Sequence, residues 1–358
     1  MGLRHLSYCI PLWATTVSTA CVTRPHFNWD DTKYLLAFGD SYTYVQGTAG
    51  TQNFSFIGNY LPGDFSFTRD TLLNDKIVQN FTSTANGGPN WVEFLTGCGI
   101  DPGKTSPRDC DVQLWDFAFG GADVSVEFLA QHHNFTTPLV NQTQQYLKWA
   151  EPVIGRKMDK SKALVAIWIG INDMNDSSKF RNVSFPDFYD EIISAVFEQS
   201  VIPLFESGYK SFLFMNLPPL DRTQDNAASL TPLPNKEMID WWDKSLAHHS
   251  HAFAAKHPSA KTMVYDVNTF LNYVMDNPDE FGIADTTHFC PDYANIDVLY
   301  HPEAYNCLPL DKYFWYNSGH MTSHTHKIMT SDLMRFLKKQ STTATGWEDD
   351  GSDSVNKH

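Results

Sequence analysis

A serine, a glycine, an asparagine and a histidine, far apart along the chain, stand in local settings that suit nucleophilic acyl chemistry. Gly39-Asp40-Ser41 closes a short apolar run. A serine there, with a helix expected to start at it, is exposed at a strand end. Its own N–H can then face a developing anion, with the helix N-terminus behind it. Asp116-Phe117-Ala118-Phe119-Gly120-Gly121 closes a second run, where glycine lets a backbone N–H approach a ligand with no side chain in the way. Gly170-Ile171-Asn172-Asp173 closes a third. The Asn172 amide is a neutral donor, able to steady an oxyanion without offering an acid that would quench it. Asn317-Ser318-Gly319-His320 precedes the last helical stretch, and neutral imidazole is the usual general base for a serine. Alone, each segment has a plainer reading: helix caps for Asp40 and Ser41, a tight turn, an ordinary loop, and one of 14 histidines. Their joint placement is what argues for chemistry.

That placement follows from the elements between them. Short apolar runs flanked by turn residues cover residues 34–38, 112–119, 163–169 and 211–215, with a weaker one at 262–265. Such runs suit strands buried on both faces. Helical periodicity covers residues 185–206, where Phe188, Ile192, Val196 and Phe197 share a face, and helices are also expected at 235–257 and 322–338. Alternating strands and helices predict an α/β fold, a three-layer α/β/α sandwich with a central parallel sheet, flavodoxin-like in outline. Ligands in such folds bind beyond the carboxyl ends of the strands, and three of the polar-glycine segments lie at such ends. Long loops are expected at 46–86, 97–111 and 276–310. Phe54, Tyr60, Tyr300 and Trp315, in or beside them, are candidates for a substrate wall, with packing the commoner role for each.

The chain has 358 residues, 42% hydrophobic and 14% aromatic, ample for one large core. A formal net charge of −15 repels phosphate backbones and anionic membrane surfaces, so neither nucleic acid nor stable membrane association is expected. Residues 1–20 run from Arg4 and His5 through an apolar-to-neutral stretch to Ser18 and Ala20, the order of a secretory signal peptide. A single domain is expected over 21–340, followed by a disordered acidic tail at 341–358. Export fits the cysteines. Cys9 falls within the signal segment and Cys21 is the odd one out, while Cys98 with Cys110 and Cys290 with Cys307 make the economical pairs. Six N-x-S/T sequons, at Asn53, Asn80, Asn134, Asn141, Asn175 and Asn182, suggest an extracellular glycoprotein.

In order and wording the segments resemble the GDSL (SGNH) hydrolases, and within them the fungal secreted acetylesterases of carbohydrate esterase family 16. The stretches that carry the resemblance are FGDSYTY (38–44), GGPNWVEFL (87–95), WDFAFGGA (115–122), WIGINDM (168–174), NLPPLDRT (216–223) and FWYNSGHMTSHTH (314–326). The resemblance implies that Ser41 is nucleophile and first oxyanion donor, Gly121 the second donor, Asn172 the third, and His320 base and then acid. Loss of one such donor costs about 3 kcal/mol of transition-state stabilisation. It further implies an esterase that removes acetyl groups from carbohydrates; a secreted monomer acting on small acylated substrates without a cofactor is expected.

Two positions depart from the family pattern. Asn317 stands where an aspartate is general, leaving a Ser-His dyad, an Asn-oriented histidine, or a carboxylate from elsewhere. Met321 follows His320 where proline is usual. Three rival functions stand beside this reading: a lipid esterase or lysophospholipase of the same fold, a non-catalytic carbohydrate-binding protein, and a metal hydrolase. The last would use His320, His324 and His326 or His248, His249 and His251, and no metal is expected.

Overall fold

Residues 26–58 and 67–341 are described by the structure, a computed structural model. The signal segment with Cys9, and Cys21, Tyr60 and the tail beyond Ser341, lie outside the described residues. Five strands form one parallel sheet: β1 (Tyr34–Gly39), β2 (Gln113–Asp116), β3 (Ala163–Trp168), β4 (Ser211–Met215) and β5 (Lys261–Tyr265). Their spatial order is β2-β1-β3-β4-β5. β1 therefore connects to one side and β3 begins on the other, which makes the β1/β3 junction the switch point where such sheets hold ligands. The apolar runs are buried as expected: every residue of β3 and β4 is buried. β5, at one edge, leaves Lys261, Thr262 and Val264 half-exposed, while β1 and β2 leave only their first residues, Tyr34 and Gln113, so.

Helices cover both faces. In one layer, Trp91–Thr96 packs on the C-terminal helix Ser323–Gln340, which also touches Val267–Asp276. In the other, Phe185–Val196 packs on Lys236–Lys256 and touches Leu139–Gln145. The helix expected over 185–206 is continuous in course but contains a π turn at Phe197–Val201 before Ile202–Glu206. Pro203 has no N–H to continue the ordinary ladder, and Ile202 instead donates to Phe197, five residues back.

Two expectations fail locally. The second strand does not reach Phe119: the Asp116 carboxylate accepts from Ala118 N–H at 2.8 Å and from Val45 N–H at 2.9 Å, turning the chain at Asp116. No helix starts at Ser41. Thr43 and Tyr44 both donate to the Asp40 carbonyl, and with Val45 N–H diverted to Asp116 the turn ends there. Trp315, weighed as a wall residue, is 1% exposed and lies in the core against Phe314. Cys98 is bonded to Cys110 and Cys290 to Cys307. The second bridge anchors a small separate core in which Val298 of the 276–310 loop and Tyr313 just beyond it also take part. Among the described residues no helix is long and apolar enough to cross a membrane.

Candidate active site

The end of β1 is held by side chains from elsewhere in the chain. Gly39 has φ +152°, and a Cβ there would stand 2.1 Å from the Trp168 carbonyl oxygen, so only glycine lets β1 and β3 close at this level. Gln142 is fully buried. Its Oε1 accepts from Gly39 N–H at 3.0 Å, and its Nε2 donates to the Gly39 and Thr137 carbonyls at 2.8 and 2.9 Å. Asn90 caps the helix Trp91–Thr96 with its Oδ1 while its Nδ2 donates to the carbonyls of Thr43 and Tyr44, both at 2.9 Å. The turn carrying Ser41 is thus fixed at both ends by buried amides, and Ser41 is half-buried at its rim.

His320 arrives from the other end of the chain. Thr322 caps the helix Ser323–Gln340 by accepting from Thr325 N–H. The preceding hairpin is closed by Tyr316 N–H on the His320 carbonyl at 2.7 Å. The His320 Nε2 lies 2.7 Å from Ser41 Oγ across 279 residues of sequence. On the far side of the ring, Asn317 Oδ1 stands 2.9 Å from Nδ1 and accepts from the N–H groups of Gly319 and His320 at the same distance. With Oδ1 as acceptor, Nδ1 carries the proton and Nε2 is free to accept the serine proton. Tyr42 braces the loop by donating to the Gly319 carbonyl at 2.8 Å, and its ring packs on that of His320. Burial pushes His320 down to about 4, so the imidazole is neutral through the weakly acidic range.

The remaining donors line the same rim. Phe119 N–H donates to the Gly39 carbonyl, so the loop after β2 runs alongside the nucleophile turn. Asn172 Nδ2 donates to the Ala122 carbonyl at 2.9 Å, and its second amide hydrogen meets no acceptor among the described residues. The neighbouring Asp173 accepts Val124 N–H with both oxygens, at 3.0 and 3.2 Å. These opposed bonds clamp the loop holding Gly121 to the helix Ile171–Ser177. Gly121 has φ +79°, and neither its N–H nor that of Ser41 meets an acceptor among the described residues. Two free backbone donors and a fixed amide beside a serine–histidine pair can receive an oxyanion. Asp40 turns its Oδ1 to Tyr42 N–H at 2.9 Å, and burial first, then Asp173, raises it to about 7.

All five predicted site residues, Ser41, Gly121, Asn172, Asn317 and His320, therefore belong to one rim. The histidine triplets do not form ligand sets. His324 Nε2 meets the Phe281 carbonyl, His249 meets Asp190, and His326 is buried between Tyr42 and Trp168. The positioning roles of Gln142 and Asn90 are not legible in the sequence: an amide 103 residues from Gly39 leaves no spacing signal, although Asn90 lies within GGPNWVEFL (87–95). Also missed were Asp123, His132 and Asp176, whose ligating atoms lie within 4.8 Å of one another.

The family described as GDSL-like Lipase/Acylhydrolase matches residues 35–333. An acetylesterase of Thermothelomyces thermophilus is 26% identical over 301 residues, 81% of this chain and 83% of its own length. An acetylesterase of Hypocrea jecorina is 22% identical over 91% of this chain and 93% of its own. A GDSL esterase/lipase of Arabidopsis thaliana is 26% identical over 61% of this chain and 62% of its own.

Proposed function

The chain belongs to the GDSL-like lipase/acylhydrolase family and is a carboxylic ester hydrolase; from that premise we propose that it is a secreted acetylesterase that deacetylates carbohydrates, with Ser41 as nucleophile and His320 as base and then acid. The observation that carries this reading is the 2.7 Å contact between Ser41 Oγ and His320 Nε2. As Oγ adds to the ester carbonyl carbon, its proton passes to Nε2. The carbonyl oxygen becomes an oxyanion received by the N–H groups of Ser41 and Gly121 and by Asn172 Nδ2. His320 then protonates the leaving sugar oxygen, the C–O bond breaks, and an acetyl-serine remains. Water, deprotonated by the same Nε2, attacks that ester, and return of the proton to Oγ releases acetate.

Support for acetyl as the acyl group comes from the two relatives named as acetylesterases. The carbohydrate portion rests on the resemblance of the six sequence stretches to the fungal carbohydrate esterases. Export is supported by the bonded cysteine pairs and by the sequons: Asn53, Asn80, Asn134, Asn175 and Asn182 are exposed and Asn141 is half-buried. We place the protein outside the cell as a monomer acting on small acylated sugars.

Acetate release from an acetylated xylo-oligosaccharide should be abolished by Ser41→Ala, and an organophosphonate should label Ser41 in the parent alone. Undiminished hydrolysis by Ser41→Ala would remove the nucleophile assignment. Faster turnover of long-chain than of acetyl p-nitrophenyl esters would favour the lipid-esterase reading.

A further inference from the structure

Asp123, His132 and Asp176 stand beside the oxyanion loop and take no part in the ester chemistry described above. Asp123 lies two residues after Gly121 and is 2% exposed, yet no described residue donates a hydrogen bond to its side chain, and its buried Oδ1 is without a partner. The charged groups acting on it are Asp173, Asp176 and Asp40, all carboxylates. A carboxyl so placed keeps its proton unless a cation joins it. His132 does not relieve it: its Nε2 is 2.5 Å from Asp176 Oδ2. The three side chains nevertheless converge, with one ligating atom from each inside a 4.8 Å span, and Asp176 and His132 are open to solvent on one side.

We propose that Asp123, His132 and Asp176 form a binding site for a divalent first-row transition ion that ties the oxyanion loop to the helix Ile171–Ser177. One imidazole and two carboxylates are a zinc-type ligand set, with water completing the coordination on the exposed side. The ion would give Asp123 the partner it lacks. Its position also has a consequence for the oxyanion donors. Asp123 shares a loop with Gly121, Asp176 lies one turn beyond Asn172 on the same helix, and a Cβ on Gly121 would stand 3.4 Å from the His132 Cβ. The ion therefore clamps together the two segments that carry the second and third donors. It also sets positive charge against the buried acids behind them.

The test uses the full chain, stripped with a chelator, exchanged into clean buffer and titrated with zinc chloride by calorimetry, with a thermal melt at each end point. The parent should bind one saturating equivalent and melt at a higher temperature with zinc. Asp123→Asn and Asp176→Asn should each weaken that equivalent by roughly a hundredfold, since outer partners of a ligand alone account for tenfold to a hundredfold. Each should also lose the melting shift while folding normally without zinc. Should Asp123→Asn fail to fold, the exposed Asp176→Asn decides. Absence of a saturable equivalent in the parent, or an affinity unchanged by the Asp176 substitution, would overturn the proposal. Binding is read directly, so the result stands apart from the esterase reading.

Discussion

Exchanging Asn317 for aspartate adds one negative charge to the base and little else. Asn317 Oδ1 accepts from Gly319 N–H and His320 N–H and faces His320 Nδ1, all at 2.9 Å. An aspartate in the same rotamer can accept all three. In the parent, burial holds His320 down at about 4 with no carboxylate to raise it. An opposite charge within about 4–6 Å raises a histidine by roughly 1–3 units. The acidic limb of kcat/KM reports the free enzyme's base. It should lie near pH 4 in the parent and move up by roughly 1–3 units in Asn317→Asp. Above the limb the new charge also stabilises the imidazolium that forms as Ser41 loses its proton. Each unit is worth about 1.4 kcal/mol, so a tenfold gain per unit is the ceiling. The assay is acetate release from a soluble acetyl ester across the acid range, with circular dichroism to verify the fold. An acidic limb that stays in place in a folded Asn317→Asp would refute the reasoning, as would a parent limb at the ordinary histidine value.

Three other substitutions test the frame. Gly121→Ala places a Cβ on a residue at φ +79°, at a cost of about 1–2 kcal/mol. By swinging the N–H it should lower kcat roughly tenfold to a hundredfold with KM little changed, measured by steady-state kinetics. Gln142→Leu removes three buried bonds at Gly39 and Thr137. It leaves the Gly39 N–H unsatisfied, so urea unfolding should report a loss of about 2–4 kcal/mol. Asn90→Ala removes the cap and both bonds to the nucleophile turn, and a loss of about 1–2 kcal/mol should come with a lowered kcat.

The sheet was legible because each strand is an apolar run too short to be a helix and bounded by turn residues; β1, β3 and β4 fall within a residue of their expected ends. The site was legible for a different reason. Ser41, Gly121 and Asn172 follow the ends of those runs, so strand order gathers them on one rim, and His320 joins them from the loop before the last helix. What was not legible is what competes locally. The Asp116 carboxylate takes two backbone N–H groups that strand and helix propensities assign elsewhere, shortening β2 and leaving Ser41 in a turn instead of a helix. The Ser41 donor therefore gains nothing from a helix dipole and depends on Gln142 and Asn90, neither adjacent in sequence, for its aim. Trp315 was ambiguous because an aromatic beside a loop has the same local signature whether it faces the cleft or, as here, the core.

The buried acids set an upper pH boundary to match the lower one at His320. Asp40 adjoins the first oxyanion donor. It is raised to about 7 chiefly by burial, with Asp173 raising it further and His132 lowering it. Below that value it is neutral; above it, a negative charge stands beside the place where the oxyanion must form. Two unit charges 4 Å apart at an effective dielectric of 20 interact by about 4 kcal/mol, and at twice the distance by about 2 kcal/mol. The second figure corresponds to roughly a thirtyfold loss of rate. The parent should therefore hold its activity between about 4, where His320 takes up a proton, and about 7, where Asp40 gives one up. Asp40→Asn keeps Oδ1 as acceptor for Tyr42 N–H and removes the charge, although the Ile171 N–H, which also lowers the Asp40 carboxyl, loses a charged acceptor. Its activity should extend further into the alkaline range while its acidic limb stays where it was. An alkaline limb of Asp40→Asn superimposable on that of the parent would show that the charge governing the upper boundary lies elsewhere.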